Sequence, residues 1–171
     1  MKGEKSEISL RRARMTDLGE LAKMKYEGDV FHSELPIWPP ECDMGEASRT
    51  MRRHLKDQRG TVFVATGQAG ILVGFATAEV VERETVHEEY RRIGTIGLLF
   101  VREEWRGRGI GRMLVSACTE RFDELGIKHL TLRSVVGNNL SERFWDSLSF
   151  EPKIYGRSTT VKEVKARLKQ R

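Results

Sequence analysis

The feature that most constrains the fold is a strand, a glycine-rich loop and a helix in direct succession near the middle of the chain. Residues 95–101 (TIGLLFV) form a nearly unbroken apolar run, which is typical of a strand buried on both faces. Residues 106–111 (RGRGIG) come next, and residues 110–125 carry apolar side chains at helical spacing before Gly126, which stands where a C-cap glycine belongs. The sequence therefore predicts a domain built around this strand–loop–helix unit.

Shorter elements of both kinds flank the unit. We expect strands at residues 8–12, 61–66, 71–82, 129–136 and 150–155, and helices at residues 18–25, 46–57 and 140–148. Thr16 and Asp17 offer an N-cap for the first of these helices, and the proline-rich residues 35–41 end it. This order predicts a mixed α/β (α+β) fold. Because no repeat or linker interrupts the order, residues 1–171 are expected to form a single domain.

Composition excludes several classes of protein. No apolar run approaches the ~18 residues that a membrane span needs, and residues 1–7 have no signal-peptide core. Cys42 and Cys118 are too few for a disulfide framework and have no metal-ligand spacing. We therefore expect a cytoplasmic protein with no membrane partner and no metal. Cys42 has no identifiable partner for nucleophilic catalysis, and Cys118 is expected in the core.

The net charge of +5 is concentrated at the C-terminus. Residues 161–171 contain five basic residues and one acid, whereas the other 25 basic and 24 acidic residues nearly balance. A duplex binder is expected to carry a basic face across the domain, and these counts do not require one. We therefore expect a basic tail or short helix over residues 161–171 and no nucleic-acid partner. The spacing of Val161, Val164 and Leu168 fits a short helix that docks on the domain. Exchange of this segment between the two copies of a homodimer is the alternative.

The glycine-rich loop predicts a phosphate site. Glycines let a backbone approach a phosphate closely, and the first N–H groups of a helix are free donors at the positive end of its dipole. Arg106, Arg108 and Arg112 add positive charge. Arg112 stands where a dinucleotide fingerprint needs its last glycine, and the P-loop spacing is absent as well. A turn that only starts a helix is the alternative.

These residues resemble the donor-site signature of the GNAT superfamily of N-acetyltransferases, (Q/R)-x-x-G-x-(G/A), which follows a strand and opens a helix. Arg106, Gly109 and Gly111 fit the signature. The family often shows a second motif, N-x-x-A-x-x-x-Y-x-x-x-G-F, further along the chain. In that frame this chain has Asn138, Ser141, Trp145, Ser149 and Phe150. The resemblance covers roughly residues 8–160, with the specific motifs confined to residues 94–150.

The resemblance implies a fold and an activity. The fold is a mixed, mostly antiparallel central sheet of six to seven strands flanked by helices, with a splayed strand pair that holds acyl-CoA. The activity is transfer of an acetyl group from acetyl-CoA to a primary amine, by direct attack in a ternary complex. A non-catalytic module that binds or senses acyl-CoA is the alternative.

The resemblance also implies where the donor binds. The pantetheine arm would pair with the backbone of Leu99, Phe100 and Val101, and a strand N–H near Phe100 or Val101 would stabilise the oxyanion. The pyrophosphate would lie on Arg106 and on the amides of Gly107, Arg108, Gly109, Ile110, Gly111 and Arg112. Asn138 would contact the donor from the splayed strand, and a helix N-cap is its alternative role.

Two departures from the family pattern leave the catalytic residues unassigned. Trp145 stands where many members have a tyrosine that protonates the leaving thiolate, and core packing is its expected role. Gly97 lies on a strand where many members carry a glutamate base, and residues 94–101 contain no carboxylate. The remaining candidates by sequence are Tyr90 and Tyr155 for the acid, and Glu79 and His87 for the base. A solvated position on the surface is the alternative for Glu79 and His87.

The segment that usually shapes the acceptor side is acidic. Residues 27–48 contain six acids and neither lysine nor arginine, and Phe31 and Trp38 could add a cation–π wall. We therefore expect a cationic acceptor, such as a polyamine, an aminoglycoside or an amine of a protein or peptide. An ordinary solvated loop is the alternative.

Overall fold

The computed structural model describes residues 8–35, 43–154, 156–157 and 159–169. Its strands are β1 (Ser9–Arg12), β2 (Gly60–Thr66), β3 (Leu72–Glu82), β4 (Arg92–Val101) and β5 (Leu130–Leu132). Its helices are α1 (Leu18–Ser33), α2 (Met44–Lys56), α3 (Ile110–Glu124), α4 (Asn139–Asp146) and α5 (Val161–Leu168). None of the helices in the described ranges is long and apolar enough to cross a membrane.

The strands form one sheet in the order β1-β2-β3-β4-β5. The first four strands pair antiparallel, and β5 pairs parallel to β4, so the predicted mixed and mostly antiparallel sheet is confirmed. The described residues form five strands, not the six to seven expected. Residues 150–154 form no strand, and Tyr155 lies outside the described residues. The fifth strand spans three residues rather than eight, because the chain leaves β4 after Leu132.

Helices cover both faces of the sheet. One face, called the α3 face, packs against α3 and α4 through a buried cluster that includes Ile96, Leu114, Cys118, Phe122 and Trp145. The other, called the α1/α2 face, packs against α1 and α2 through a cluster that includes Leu21, Met24, Met51, Val64 and Phe75. The alternation of side chains along each strand assigns its residues to these two faces.

Cys118 is fully buried within the α3-face cluster, as expected. Burial raises the pKa of its thiol to about 12, because a thiolate would lose its hydration there. The side chain is therefore a small apolar core residue and no nucleophile. Cys42 lies outside the described residues.

Asp17 stands at the N-cap position of α1, but its carboxylate does not cap the helix. It accepts two hydrogen bonds from the Arg11 guanidinium, at 2.8 and 2.9 Å, and one from the Arg14 backbone N–H at 2.7 Å. Hydrogen bonding to Arg11 lowers the pKa of Asp17. The prediction that the Asp17 side chain caps α1 is therefore wrong, because the Arg11 guanidinium of β1 binds the carboxylate instead. This ion pair joins β1 to the start of α1.

The C-terminal segment forms a helix where a basic tail or short helix was expected. Thr160 and Glu163 make a reciprocal capping box at the start of α5. Val161, Val164 and Leu168 are exposed along this helix.

The end of α4 contains a serine in a conformation that favours glycine. Ser149 has a φ of 63°, and it occupies the position that is glycine in the second family motif. The Ser149 N–H bonds the Asp146 carbonyl at 3.0 Å, and the Phe150 N–H bonds the Trp145 carbonyl at 3.1 Å. These bonds require the left-handed turn, which costs a residue with a Cβ roughly 1–2 kcal/mol.

Replacing this serine should stabilise the protein. We expect Ser149→Gly to raise the free energy of unfolding by about 1 kcal/mol, because glycine adopts positive φ without steric cost. Urea unfolding monitored by circular dichroism measures the change, with Ser149→Ala as the matched control that keeps the Cβ. An equal gain for both variants would contradict the backbone explanation.

Candidate functional site

A cleft opens where β4 and β5 separate. The two strands pair only from Gly94–Leu130 to Ile96–Leu132. Beyond these pairs lies a cleft of about 580 Å³. Residues 96–101 of β4 line one side, and the chain after β5 lines the other with Arg133, Ser134, Val135 and Asn138. The expected splay of two neighbouring strands is thus present.

A β-bulge shapes the β4 side of the cleft. Ala76 pairs with Leu99 and Ala78 pairs with Ile96, so Thr77 alone opposes two residues of β4. The fully buried Thr77 hydroxyl accepts the Leu98 N–H at 2.9 Å. A Cβ on Gly97 would lie 2.9 Å from that hydroxyl oxygen, so the bulge requires glycine at position 97.

The bulge determines which backbone groups face the cleft. The Arg102 N–H bonds the Val73 carbonyl at 3.0 Å, and the register makes Phe100 the next residue to bond β3. The N–H groups of Leu99 and Val101 therefore point away from β3 and toward the cleft. Of the two strand N–H groups expected to stabilise the oxyanion, that of Val101 faces the cleft, whereas that of Phe100 belongs to the β3–β4 ladder.

The glycine loop lies at one end of the cleft. Gly107 and Gly109 have φ values of 73° and 79°, a region that disfavours residues with a Cβ. Gly109 is the N-cap of α3, so the N–H groups of Ile110, Gly111 and Arg112 in the first turn have no partner within the helix. These free donors at a positive helix end form a site for an anion.

The three loop arginines have different roles. The Arg106 Nε donates to the Val101 carbonyl at 3.0 Å, and its guanidinium lies 5.4 Å from the centre of the Phe31 ring. Arg112 donates to the Ser147 hydroxyl at 2.8 Å. Both line the cleft, whereas Arg108 stacks over Trp105 at 4.8 Å and does not. Every residue predicted to contact the donor except Arg108 therefore lies on the cleft wall.

Asn138 bridges the two sides of the cleft. Its carbonyl oxygen accepts the Ser141 N–H at 3.1 Å and so caps α4, which is the alternative role foreseen for it. Its amide nitrogen lies 3.4 Å from Nε2 of His32 on α1. Burial lowers the pKa of His32, which favours a neutral imidazole at this contact.

One face of α1 forms a wall of the cleft that was not predicted as such from the sequence. Lys25, Gly28, Asp29 and His32 all line the cleft, and Lys25 and Asp29 form an ion pair there. Their spacing of i, i+3, i+4 and i+7 places them on one helix face, and this is the signal that could have found them. A Cβ on Gly28 would lie 3.2 Å from the Phe100 ring, so glycine lets α1 pack closely on β4.

Most of the described acids in the acidic segment lie away from the cleft. Glu27 pairs with Arg102 at 3.5 Å, and Asp43 caps α2 by accepting the Glu46 N–H at 2.6 Å. Glu34 and Glu46 are exposed, and Glu41 and Trp38 lie outside the described residues. Among the described acids of this segment, Asp29 is the one that lines the cleft, so structural bonds account for much of the local charge.

Tyr90 and His87, the candidates for catalytic acid and base near position 90, lie just before the start of β4, at the end far from the cleft. Tyr90 stacks on His129 with ring centres 4.3 Å apart, and His87 packs edge-on against Tyr90. The seven residue-to-residue steps from Arg92 to Leu99 span about 23 Å in an extended strand. No tyrosine of the described ranges lines the cleft, and Tyr155 lies outside them. Neither Tyr90 nor His87 can therefore serve the cleft.

Trp145 and Glu79, which were also considered from the sequence, have defined positions in the structure. Trp145 is buried and packs edge-on against Phe144 and Phe150, which confirms its expected core role. Glu79 lies on the α1/α2 face of β3, with Oε1 3.5 Å from where a Cβ on Gly97 would stand. No group of three or more potential metal-ligating side chains occurs within the described part of the chain.

The Thr77 hydroxyl is expected to hold the bulge. Thr77→Val keeps the shape of the side chain but leaves the buried Leu98 N–H without an acceptor, at a cost of about 1–3 kcal/mol. Thr77→Ser keeps the acceptor and serves as the matched control. Amide hydrogen exchange by NMR should show loss of protection at Leu98 in the valine variant only. Equal protection in both variants would contradict this assignment.

Comparison with known proteins supplies the family. Residues 28–150 match the Acetyltransferase (GNAT) family. An aminoglycoside N(6')-acetyltransferase type 1 from Stenotrophomonas maltophilia is 28% identical over 102 residues, covering 60% of this chain and 65% of the relative. A mycothiol acetyltransferase from Propionibacterium freudenreichii subsp. shermanii is 30% identical over 116 residues, covering 68% of this chain and 34% of the relative. This chain thus spans less than two thirds of the length of these relatives.

A solved structure has the same architecture. The aminoglycoside N-acetyltransferase AAC(6')-Iy in complex with CoA aligns with a TM-score of 0.72 and 18% identity, covering 94% of this chain and 100% of that chain. At this identity the likeness shows the fold alone. The family match spans well over half of the chain and includes β4, the glycine loop, α3 and α4. The resemblance found in the sequence is confirmed, and the chain belongs to the Acetyltransferase (GNAT) family.

Proposed function

We propose that this protein transfers an acetyl group from acetyl-CoA to a primary amine, by direct attack in a ternary complex. The observation that carries the proposal is the cleft between β4 and β5, which places outward-facing strand amides next to the free N-terminus of α3. A ligand that uses both features has an extended arm with amide groups, which can pair with the strand, and phosphates, which can bind the helix N-terminus. Coenzyme A is such a ligand.

The donor would occupy the cleft lengthwise. Its pyrophosphate would accept the N–H groups of Ile110, Gly111 and Arg112, with the Arg112 guanidinium nearby. Its pantetheine amides would pair with the backbone of Leu99 and Val101, like an added strand. A protein with the same fold has been solved in complex with CoA, which supports CoA as the ligand.

The chemistry would rest on placement and on one backbone amide. The amine nitrogen attacks the thioester carbon, and the carbonyl oxygen becomes an oxyanion that accepts the N–H of Leu99 or Val101. The nitrogen, which gains a positive charge as the C–N bond forms, releases a proton to solvent, the C–S bond breaks and the sulfur leaves as a thiolate. Holding the two substrates in line at this point is worth several powers of ten in rate.

The acceptor is proposed to be cationic. Asp29, which pairs with Lys25, is the one carboxylate among the described residues that lines the cleft. The named activity of the Stenotrophomonas relative adds support for an aminoglycoside, and a polyamine or a peptide amine fits the same charge. A carboxylate on the wall of a partly enclosed cleft can pair with such a cation.

A thiol-release assay tests the activity and the acceptor class together. With acetyl-CoA present, we expect release of CoA thiol that depends on a polyamine, an aminoglycoside or a lysine peptide, and slower release with neutral amines. Preference for neutral acceptors would contradict the charge argument. Tight CoA binding with no acceptor-dependent release would instead identify a non-catalytic acyl-CoA-binding module, an alternative favoured by the lack of a described tyrosine in the cleft.

The donor site is tested by two glycines at opposite ends of α3. Gly109 and Gly126 both have positive φ, and a Cβ on either would meet open space. Alanine at each costs about 1–2 kcal/mol of backbone strain. We expect Gly109→Ala to weaken CoA binding by up to about tenfold in calorimetry, since 1.4 kcal/mol is one decade. Gly126→Ala should lose similar stability and keep its CoA affinity. Equal CoA affinity in both variants would place the phosphates elsewhere.

A further inference from the structure

Lys25 is the one primary amine among the described residues that line the cleft. Its side chain is 19% exposed, so it forms part of the wall and does not extend freely into solvent. A cleft that is proposed to deliver an acetyl group to a primary amine therefore contains a primary amine of its own.

Lys25 lies on the flank of α1 that is turned away from the end of β4. Arg102, which directly follows β4, pairs with Glu20 at 3.2 Å and with Glu27 at 3.5 Å, and so marks the opposite flank of the helix. At 3.6 residues per turn, Lys25 lies about 140–160° around the helix from these two glutamates. It therefore lies away from the Arg102 end of β4, and residues 96–99 line the same cleft.

The helix packs closely on the strand that would bind the thioester. A Cβ on Gly28 would lie 3.2 Å from the Phe100 ring, and Gly28 is one turn from Lys25 on the same cleft wall. The N–H of Leu99, next to Phe100, faces the cleft and is one of the two proposed to bind the oxyanion. The flexible four-carbon stem of lysine can carry Nζ to a thioester at this strand from a helix packed so closely.

Asp29 holds Lys25 in an ion pair within α1, and its side chain is 20% exposed. In this i,i+4 pair the cation precedes the anion, which is the order that stabilises a helix less. The main effect of the pair is therefore on the cleft, because it leaves the wall with no net charge at this point. A cationic acceptor would have to compete with Lys25 for the Asp29 carboxylate.

We propose that Lys25 is a self-acetylation site, modified by acetyl-CoA bound in the cleft, and that the modification frees Asp29 to bind the cationic acceptor. This inference rests on the proposed acetyl transfer, and it adds an acceptor that is part of the chain itself. It places on α1 both the amine that is modified and the carboxylate that responds.

The modification needs no reactant other than acetyl-CoA. The Lys25 ammonium first loses one proton to solvent, which gives the nitrogen a lone pair. The nitrogen attacks the thioester carbon, the C–N bond forms, the C–S bond breaks, and the sulfur leaves as a thiolate. The nitrogen then releases a second proton to solvent and keeps one as the amide N–H. The products are an acetylated Lys25 and free CoA.

Acetylation changes the charge of the cleft wall. The amide that replaces the ammonium is neutral, so Asp29 becomes a partly buried carboxylate without its partner. Such a group is costly until it gains a new partner. Since no other carboxylate of the described residues lines the cleft, a cationic acceptor would bind at Asp29. The first turnover would thus prepare the wall for later acceptors.

Incubation of the full chain with acetyl-CoA and no acceptor tests the modification. We expect intact-mass spectrometry to show the addition of an acetyl group and peptide mapping to place it on Lys25. Lys23 is the internal control, because it lies on the same helix, is 60% exposed and does not line the cleft. Acetyl-CoA in solution favours the more exposed amine. Bound acetyl-CoA should favour Lys25 by about tenfold or more, because placement beside a donor raises the effective concentration by several powers of ten.

Two variants and one competitor provide matched controls. Lys25→Arg keeps the charge but removes the primary amine, so it should abolish the modification, whereas Lys23→Arg should retain it. Thermal unfolding shows whether both variants are folded, and peptide mapping of the wild type tests the site without any variant. Free CoA, which competes for the cleft, should slow the labelling of Lys25 and leave that of Lys23 unchanged.

Steady-state kinetics test the effect on the acceptor. Lys25→Gln carries a neutral amide, as the acetylated side chain does, and leaves Asp29 without its partner. Relative to Lys25→Arg, it should lower the KM for a polyamine or an aminoglycoside about two- to fivefold, as expected for one partly exposed ion pair. The KM for a neutral amine should be the same in both variants. Equal KM values for cationic acceptors would overturn the role given to Asp29.

The outcomes separate this inference from the proposed function. If neither Lys25 nor any added amine is acetylated, the acetyl-transfer function fails and self-acetylation fails with it. If added amines are acetylated and Lys25 is modified no faster than Lys23, the transfer stands and the self-acetylation site is overturned. If Lys25 is acetylated and no added amine is, the site stands and the proposed external acceptor fails.

Discussion

The parallel ladder between β4 and β5 stops after three residue pairs, and the site depends on where it stops. Beyond Ile96 the strand continues to Val101 with backbone groups on one edge that no neighbouring strand satisfies. Unpaired backbone groups are costly unless a ligand or water bonds them. The cleft is therefore a sheet edge exposed inside the fold. That edge is suited to an amide-containing arm, and the helix behind it to the phosphates that such an arm carries.

The donor half of this site was predictable from the sequence, because its signals are local. The glycine spacing, the apolar strand and the amphipathic helix lie within about thirty consecutive residues, and short-range patterns of this kind determine backbone geometry directly. Gly107 and Gly109 adopt the positive φ values that only glycine takes without strain. The exception is Arg108, whose side chain stacks on Trp105, and nothing in the spacing indicates that preference.

The surroundings of Gly97 were less predictable, because they depend on contacts between distant segments. The proximity of Glu79 to Gly97 follows from the β3–β4 register across a bulge, and one residue of slip would turn Glu79 to the other face. Asp17 failed as a cap for a similar reason, since Arg11 of another element takes its carboxylate. The same applies to residues 150–154, whose apolar pattern resembles a strand although no neighbouring strand pairs with them.

Thr77, Glu79 and Gly97 share one small volume beneath the bulge. A methyl group at position 97 would already overlap the Thr77 hydroxyl and contact the Glu79 carboxylate. A larger residue at position 97 would consequently require smaller ones at positions 77 or 79. The three positions should therefore vary together among descendants of this sequence. A carboxylate could then move from one strand to its neighbour during evolution without any change in the course of the backbone.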